Sequence, residues 1–202
     1  MKEVIIATKN PGKAKEFKEM FSAYGYEVKT LLDYPDFPDI EETGQTFEEN
    51  AILKAEAVSA ATGRLAIADD SGLVIDALNG RPGVYSARYA GEAKDDQANI
   101  EKVLAELIEV PAEKRAARFY CALALAVPNE PVLTVSGTCE GQISTSQQGK
   151  NGFGYDPIFF VPSLGRTMAE LSPEEKHRIS HRGQAIQALK GKLSDTLGGE
   201  LA

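Results

Sequence analysis

The chain opens with a strand-like run, a polar turn and a helical pattern, and this order constrains the fold more than any other feature. The segment Glu3 to Thr8 is rich in β-branched and apolar residues, and Lys9 to Gly12 have turn composition. Apolar residues then recur at three- and four-residue steps from Ala14 to Tyr24, with Gly25 placed to end the helix. Because strand-like and helical segments continue to alternate, the sequence predicts a mixed α/β fold.

Local signals predict several later elements. Thr46 and Glu49 form a capping-box pair that begins a helix, and Gly63 is placed to end it. Two short strands, Leu65 to Asp69 and Leu73 to Leu78, are predicted on either side of a turn at Asp70, Ser71 and Gly72.

The second half of the chain contains further elements of both kinds. A third helix is predicted from Asp95 to Val110, and two β-rich stretches, Ala116 to Val127 and Val132 to Ser144, are joined by the turn PNEP. The last helix is predicted from Ser172 to about Leu193, with a break near Gly183 as the alternative.

Composition and charge limit the partners of the protein. The chain has 202 residues, 43% of them hydrophobic and 26% charged, which is typical of a globular protein of one large domain or two closely packed lobes. Its net charge of -8 argues against binding to a nucleic acid polymer, whereas a small phosphorylated ligand needs only local positive charge. No apolar run approaches the roughly 20 residues of a membrane span, so we expect a cytoplasmic protein with no membrane partner.

The segment TKNPGK is the first candidate site. It places Thr8, Asn10 and Lys13 where a strand gives way to a helix, so that backbone N–H groups and the helix dipole favour an anion such as phosphate. It lacks the spacing of a Walker motif. An Asn-Pro-Gly turn with a solvated lysine is therefore the alternative.

Two pairs of adjacent acids suggest a metal site. Glu41 and Glu42 lie in an acidic loop, and Asp69 and Asp70 follow an apolar run. Mg²⁺ prefers a few carboxylates, with water and phosphate oxygens completing its octahedron. One aspartate could hold the metal while the other accepts a proton from the attacking water. A solvated acidic loop and a polar turn are the respective alternatives.

The last candidate site combines an aromatic ring with cations. In GFGYDP, two glycines flank Phe153, which could present its ring for stacking on a base or pack in the core instead. If the last helix is continuous, Arg182 lies in its buried stripe and must have a buried partner, extend its charged end to solvent, or line a cavity. Lys176, His181 and Arg182 together offer hydrogen-bond donors to phosphate and to a carbonyl of a base.

Six motifs in this order resemble the inosine triphosphate pyrophosphatases. They are TKNPGK, EETG with TFEENAILKA, ADDSGL, GRPGVYSARYAG, GFGYDPIF, and EEK followed by ISHRG, and they extend from Ile6 to about Leu189. The resemblance implies an ITPase-like fold: a single domain over residues 1–202, with a mixed sheet in two lobes and a central substrate cleft. It also implies a homodimer and Mg²⁺-dependent hydrolysis of ITP, dITP and XTP to the monophosphate and pyrophosphate, which removes non-standard purines from the nucleotide pool.

The resemblance also assigns roles to residues. Asp70 would be the catalytic proton acceptor and a metal ligand, and Glu41 a further ligand, with Glu42 or Asp69 as possible substitutes. The residues that would bind substrate are Thr8, Lys9, Asn10, Pro11, Gly12, Lys13, Ser71, Phe153, Gly154, Tyr155, Asp156, Lys176, His181 and Arg182.

Hydrogen-bond chemistry suggests how the base would be selected. Arg182 and His181 would donate hydrogen bonds to the 6-keto oxygen of a purine. The 6-amino group of ATP is itself a donor, so it could not pair with them and ATP would be rejected. Two other functions stay open at this point: a Maf-like pyrophosphatase for modified pyrimidine nucleotides, and a nucleotide-binding regulatory module without catalysis.

Overall fold

The computed structural model describes residues 2–22 and 26–196. The chain divides into two compact units. The first unit comprises Met1–Asp70, Cys121–Gly137 and Ala185–Ala202, and the second comprises Ser71–Tyr120 and Thr138–Gln184. Nowhere in the described residues is a helix both long enough and apolar enough to cross a bilayer.

Strands of both orientations form a single sheet. Over the described residues the strands are β1 (Lys2–Ile6), β2 (Tyr26–Thr30), β3 (Ala66–Ile75), β4 (Ala116–Ala126), β5 (Leu133–Ile143), β6 (Phe159–Val161) and β7 (Arg166–Thr167). Their order in the sheet is β2-β1-β3-β4-β5-β6-β7. β1 pairs in parallel with β2 and β3, whereas β6 pairs antiparallel with β5 and β7. The mixed α/β class predicted from the sequence is therefore confirmed.

The helices of the described segments begin and end largely where local signals predict. They are α1 (Pro11–Ser22), α2 (Phe47–Thr62), α3 (Asp96–Glu106), α4 (Pro173–Ile179) and α5 (His181–Thr196). Thr46 and Glu49 form the predicted capping box of α2, and Gly63 ends that helix in the left-handed conformation at φ 65°. The predicted end of α1 at Gly25 lies outside the described residues.

Each unit has its own buried apolar cluster. In the first unit, β1, α1, β4 and α5 contribute side chains that include Val4, Phe17, Leu123 and Ile186. In the second unit, the cluster includes Leu73, Val103, Phe159 and Met168. Burial of such side chains from water stabilises each unit by about 1.5–3 kcal/mol per large residue.

The predicted turn at Asp70, Ser71 and Gly72 is wrong. β3 is one continuous strand of 10 residues that passes through all three positions. Tertiary contacts override the local turn propensity here, because the polar side chains of this stretch have buried partners when the backbone is extended.

The prediction of one continuous last helix is also wrong, and the break lies before Gly183. Ser180 has extended backbone (φ -67°, ψ 152°) between α4 and α5, and its Oγ accepts the N–H of Gly183 at 3.1 Å. A Cβ on Gly183 would lie 2.0 Å from the carbonyl oxygen of His177. Glycine at position 183 thus permits the close approach of α4 that the break requires.

Candidate active site

The N-terminal polar turn directs Lys13 to a buried acid. Asn10 begins α1 by accepting the N–H of Lys13 on its Oδ1 at 3.1 Å. The Lys13 ammonium lies 2.7 Å from Oδ1 of Asp69, whose side chain is fully buried, and Lys13 itself is only 16% exposed. The alternative of a solvated lysine is therefore excluded.

Asp69 faces the first unit's core on its other side. The Sγ of Cys121 lies 3.9 Å from Oδ2 of Asp69. An ionised carboxylate buried to this degree requires a cation close by, and Lys13 supplies it. The two residues form a buried ion pair at the start of α1.

Asp70, the next residue of β3, belongs to a different set of contacts. Its Oδ1 lies 3.2 Å from the Lys54 ammonium, and its Oδ2 accepts the Nδ2–H of Asn50 at 3.2 Å. Lys54 also donates to Oε1 of Glu42 at 2.6 Å. Lys54 thus lies between two carboxylates that are far apart in the sequence.

Burial and charge act in opposite directions on Asp70 and Lys54. Burial raises the pKa of Asp70 above its usual range, and the nearby ammonium groups of Lys54 and Lys13 only partly offset this rise. For Lys54, burial alone would lower the pKa, but the surrounding carboxylates, Asp70 first, outweigh it and raise the pKa. Lys54 therefore remains a cation at neutral pH, whereas Asp70 holds a proton more readily than an exposed aspartate.

The second unit carries a cluster of cations around an aromatic ring. The Lys176 ammonium lies 5.1 Å and the Arg182 guanidinium carbon 5.3 Å from the centroid of the Phe153 ring. Arg182 is 4% exposed and donates from Nη2 to Oγ of Ser71 at 2.7 Å. The partner that the sequence required for a buried arginine is Ser71.

Asp156 organises the glycine-rich loop that presents Phe153. Its Oδ2 accepts the Phe153 N–H at 2.9 Å and lies 2.7 Å from the Lys176 ammonium. Gly152 has φ 76°, and a Cβ at that position would lie 1.9 Å from Oδ2 of Asp156. The loop can close on Asp156 only because residue 152 is glycine.

Two neighbouring side chains support this cluster from the core. Tyr155 is buried and donates its hydroxyl to the carbonyl oxygen of Ser86 at 2.8 Å, and burial raises its pKa far above the usual range. The His181 ring stacks on Phe119, with centroids 4.9 Å apart. Tyr155 therefore remains a neutral phenol that anchors the loop.

Comparison with known proteins agrees with these features. The sequence profile of the Ham1 family matches residues 4–192. The chain belongs to the Ham1 family. It is 58% identical over 200 residues to a dITP/XTP pyrophosphatase of Geobacillus kaustophilus, covering 99% of this chain and 98% of that relative.

Solved structures of the Ham1 family share the fold. The Staphylococcus aureus Ham1 protein superimposes with a TM-score of 0.83 at 51% identity, covering 96% of this chain and 99% of that one. A HAM1 protein from Coxiella burnetii gives a TM-score of 0.85 at 46% identity, covering 97% of this chain and 100% of that one. The ITPase-like fold class and the resemblance deduced from the motifs are confirmed.

The predicted site residues of this Ham1 protein differ in the contacts that they make in the structure. Glu42, not Glu41, contacts Lys54, while Glu41 is exposed. Lys9 donates to the carbonyl oxygen of Phe37 and pairs with Asp39, each at 2.7 Å, so that it holds the acidic loop. Substrate binding by Lys9, as by the other residues of TKNPGK, stays a prediction.

Sequence reasoning missed Asn50 and Lys54. Both lie on the buried face of α2 with Ala51, Ala55 and Val58, at positions one helical turn apart. A polar residue in the apolar stripe of a helix needs a buried partner, and this is the same argument that singled out Arg182. Applied to TFEENAILKA, it would have identified both residues.

Proposed function

We propose that this protein is a nucleoside triphosphate pyrophosphatase that hydrolyses dITP, XTP and ITP to the monophosphate and pyrophosphate. The observation that carries the proposal is the buried contact of Asp70 with Lys54, whose ammonium group Glu42 shares. Asp70 belongs to the cluster of acids and lysines, and Ser71 is bound by Arg182 beside the Phe153 ring. The name of the Geobacillus kaustophilus relative points to the same reaction.

A divalent metal cation, which we propose is Mg²⁺, would act with this protein. Glu42 and Asp70 direct carboxylate oxygens at one ammonium group, so the local charge already suits a cation. One or two carboxylates, with water and phosphate oxygens, are the ligands that Mg²⁺ prefers, and the donor set fits.

Glu42 and Asp70 are therefore the residues that would hold the metal. When bound, Mg²⁺ would neutralise charge on the phosphate oxygens. Glu41, although exposed, remains the ligand that the family resemblance implies, and Asp69 is already paired with Lys13. The geometry supports Glu42 over both.

The triphosphate would be bound at the start of α1. Lys13, although paired with Asp69, provides an ammonium group, and the N-terminal N–H groups of the helix provide partial positive charges. Release of pyrophosphate requires charge neutralisation on both sides of the bond between the α and β phosphates. Lys13 would supply the part of this neutralising charge that comes from the protein.

Asp70 would accept the proton of the attacking water. Its raised pKa makes it a stronger base than an exposed aspartate once it is ionised. Asn50 and Lys54 hold both of its oxygens and so fix the direction from which a water molecule could approach. This arrangement fits general-base catalysis.

The base would be recognised by the cluster of the second unit. Phe153 offers a face for stacking, with Lys176 and Asp156 fixing its loop. Arg182 and His181 would donate to the 6-keto oxygen of hypoxanthine or xanthine, and a 6-amino group would leave those buried donors unpaired. The expected result is a preference for ITP, dITP and XTP over ATP.

A nucleotide panel tests this function. Purified protein would be incubated with ITP, dITP, XTP, GTP, ATP and a modified pyrimidine triphosphate in the presence of Mg²⁺, and pyrophosphate release would be followed. We expect the first three to be turned over with higher kcat/KM than the rest. Equal turnover of ATP would refute the proposal, faster turnover of the pyrimidine would favour the Maf-like alternative, and binding without product would favour a regulatory module.

The cellular setting follows from the same proposal. We propose a cytoplasmic enzyme that acts on free purine nucleotides to remove non-standard bases from the nucleotide pool. Homodimer formation is part of the proposal, and sedimentation velocity of the purified chain tests it. A species of single-chain mass across micromolar concentrations would count against the dimer.

A further inference from the structure

Helix α2 holds both carboxylate oxygens of Asp70. Asn50 donates to Oδ2, and Lys54, one turn later, lies beside Oδ1, each at 3.2 Å. Residues four apart on a helix share one face, so both contacts come from a single rigid surface. The orientation of the Asp70 carboxylate is therefore set by α2.

The same two residues also hold the acidic loop. Oδ1 of Asn50 accepts the N–H of Gly44 at 2.8 Å, and Lys54 donates to Oε1 of Glu42 at 2.6 Å. A Cβ on Gly44 would lie 2.7 Å from Oδ1 of Asn50, so the loop approaches α2 as closely as only glycine allows. Each of these α2 side chains thus joins the loop to Asp70.

We propose that Asn50 is a positioning residue that couples the orientation of Asp70 to the position of the loop carrying Glu42. The inference rests on the proposed pyrophosphatase function. Asn50 is 1% exposed, and both ends of its amide are used. An ionised carboxylate only accepts and a backbone N–H only donates, so the NH₂ group must face Asp70 and the oxygen must face Gly44.

Substitutions that change only the hydrogen-bonding groups of residue 50 distinguish a positioning role from simple space-filling in the core. Aspartate has the same shape and would keep the acceptor for Gly44, but it would present an acceptor instead of a donor to Asp70. Serine is shorter by one bond, so its hydroxyl would reach neither Gly44 nor Asp70 and both hydrogen bonds would be lost. Asn50→Asp therefore removes only the hydrogen bond to Asp70, whereas Asn50→Ser also removes the hydrogen bond from Gly44.

The first experiment measures steady-state turnover of ITP by Asn50→Asp at saturating Mg²⁺. We expect kcat to fall about 10- to 100-fold, the usual effect of removing a partner that orients a metal-site ligand, with KM changed less than about threefold. Asn99→Asp is the matched control. Asn99 is 2% exposed on α3, accepts from Ala90 at 2.6 Å and donates to Ala87 at 3.1 Å.

The second experiment does not depend on turnover. Amide hydrogen exchange at Gly44 would be measured by mass spectrometry or NMR in wild type, Asn50→Asp and Asn50→Ser. We expect Asn50→Ser to exchange about tenfold faster at Gly44, and Asn50→Asp to retain its protection, because only the serine loses the acceptor. Exchange at Gly63, which donates to the carbonyl oxygen of Ser59 at the end of α2, is the internal reference.

Clear outcomes would overturn the inference. Wild-type kcat in folded Asn50→Asp, an equal loss in Asn99→Asp, or unchanged Gly44 exchange in Asn50→Ser would each do so. If Asn50→Asp does not fold, turnover by Asn50→Ser replaces it, with the same expected loss. A wild-type protein that fails to hydrolyse ITP would refute the proposed function, and the exchange experiment would still decide whether Asn50 holds the loop.

Discussion

The Lys54 ammonium lies 3.2 Å from Oδ1 of Asp70, and the two side chains are only 11% and 9% exposed. In such surroundings an ion pair stabilises the fold weakly as a pair, but removal of one partner leaves a buried charge without compensation. Glu42 shares the same cation. Lys54 therefore bears on both the stability of the fold and the proposed reaction.

We expect Lys54→Met to lower the free energy of unfolding by about 3–5 kcal/mol at neutral pH, because two carboxylates lose their common counter-ion. Urea denaturation measures this change. Lys15→Met is the control, because Lys15 is 75% exposed and its ammonium lies 4.0 Å from Glu19, so the pair is weak. This substitution should change the free energy of unfolding by less than about 0.5 kcal/mol. Equal effects of the two substitutions would contradict the assigned role of Lys54.

Asp70→Asn should abolish most turnover while nucleotide binding persists. The amide keeps the size of the side chain but cannot accept the proton of water, and loss of a general base typically costs 10²- to 10⁴-fold. Pyrophosphate release and calorimetric titration with ITP measure the two properties. Asp76→Asn, at a 51% exposed aspartate just after β3, should retain wild-type kcat; a fully active Asp70→Asn would show that another group is the base.

Arg182→Ala should narrow the preference for ITP over ATP. A hydrogen bond from a charged donor contributes roughly 1.5–3 kcal/mol, so the ratio of kcat/KM values should fall at least about tenfold. Arg178→Ala removes an exposed arginine from the neighbouring helix α4 and should leave the ratio as it is. An unchanged ratio in Arg182→Ala would separate this residue from base recognition.

Phe153→Leu should weaken binding of the base more than it slows the reaction. Stacking of a base on an aromatic ring contributes about 1–3 kcal/mol, so we expect KM for ITP to rise roughly 5- to 100-fold with kcat less affected. Tyr85→Leu removes a 59% exposed aromatic ring from the same unit and serves as the control. A rise in KM of similar size in the control would argue that the effect is not specific.

Asp33 should make the stability of the protein depend on acid. The backbone N–H of Thr30, at 2.7 Å, is the main cause of a lowered pKa of Asp33, aided by the Thr30 hydroxyl and by Lys18. Because the folded pKa lies below the unfolded value of about 4, the stabilisation is complete at neutral pH and is lost as pH falls through the folded pKa. The difference in Tm between wild type and Asp33→Asn should therefore shrink from pH 7 to about pH 3, and a difference that stays constant over this range would contradict the role assigned to the carboxylate.

Features encoded by neighbouring residues could be predicted from the sequence. The capping box at Thr46, the helix start at Ser172 and the glycine after α2 involve contacts within four residues, and the structure has them as expected. The motifs also identified the family and the cluster around Phe153. Local hydrogen bonds of this kind do not depend on the rest of the fold.

Features that depend on distant partners could not be predicted in this way. Asp70 meets Asn50 and Lys54 across 20 and 16 residues of sequence, and these contacts turn an apparent turn into the middle of a strand. The sequence also left open whether the last helix is continuous or broken near Gly183, and in the structure the close approach of Gly183 to the carbonyl oxygen of His177 accompanies the break. Propensity describes the isolated segment, and tertiary pairing overrides it.

The continuous β3 strand has a consequence for how sequences of this kind can change. Successive side chains of a strand point to opposite faces, so Asp69 reaches Lys13 while Asp70 reaches Lys54. Gaining or losing a single residue upstream within β3 would turn both acids to the opposite faces of the strand and take each away from its lysine. Both buried ion pairs therefore depend on the register of this one strand.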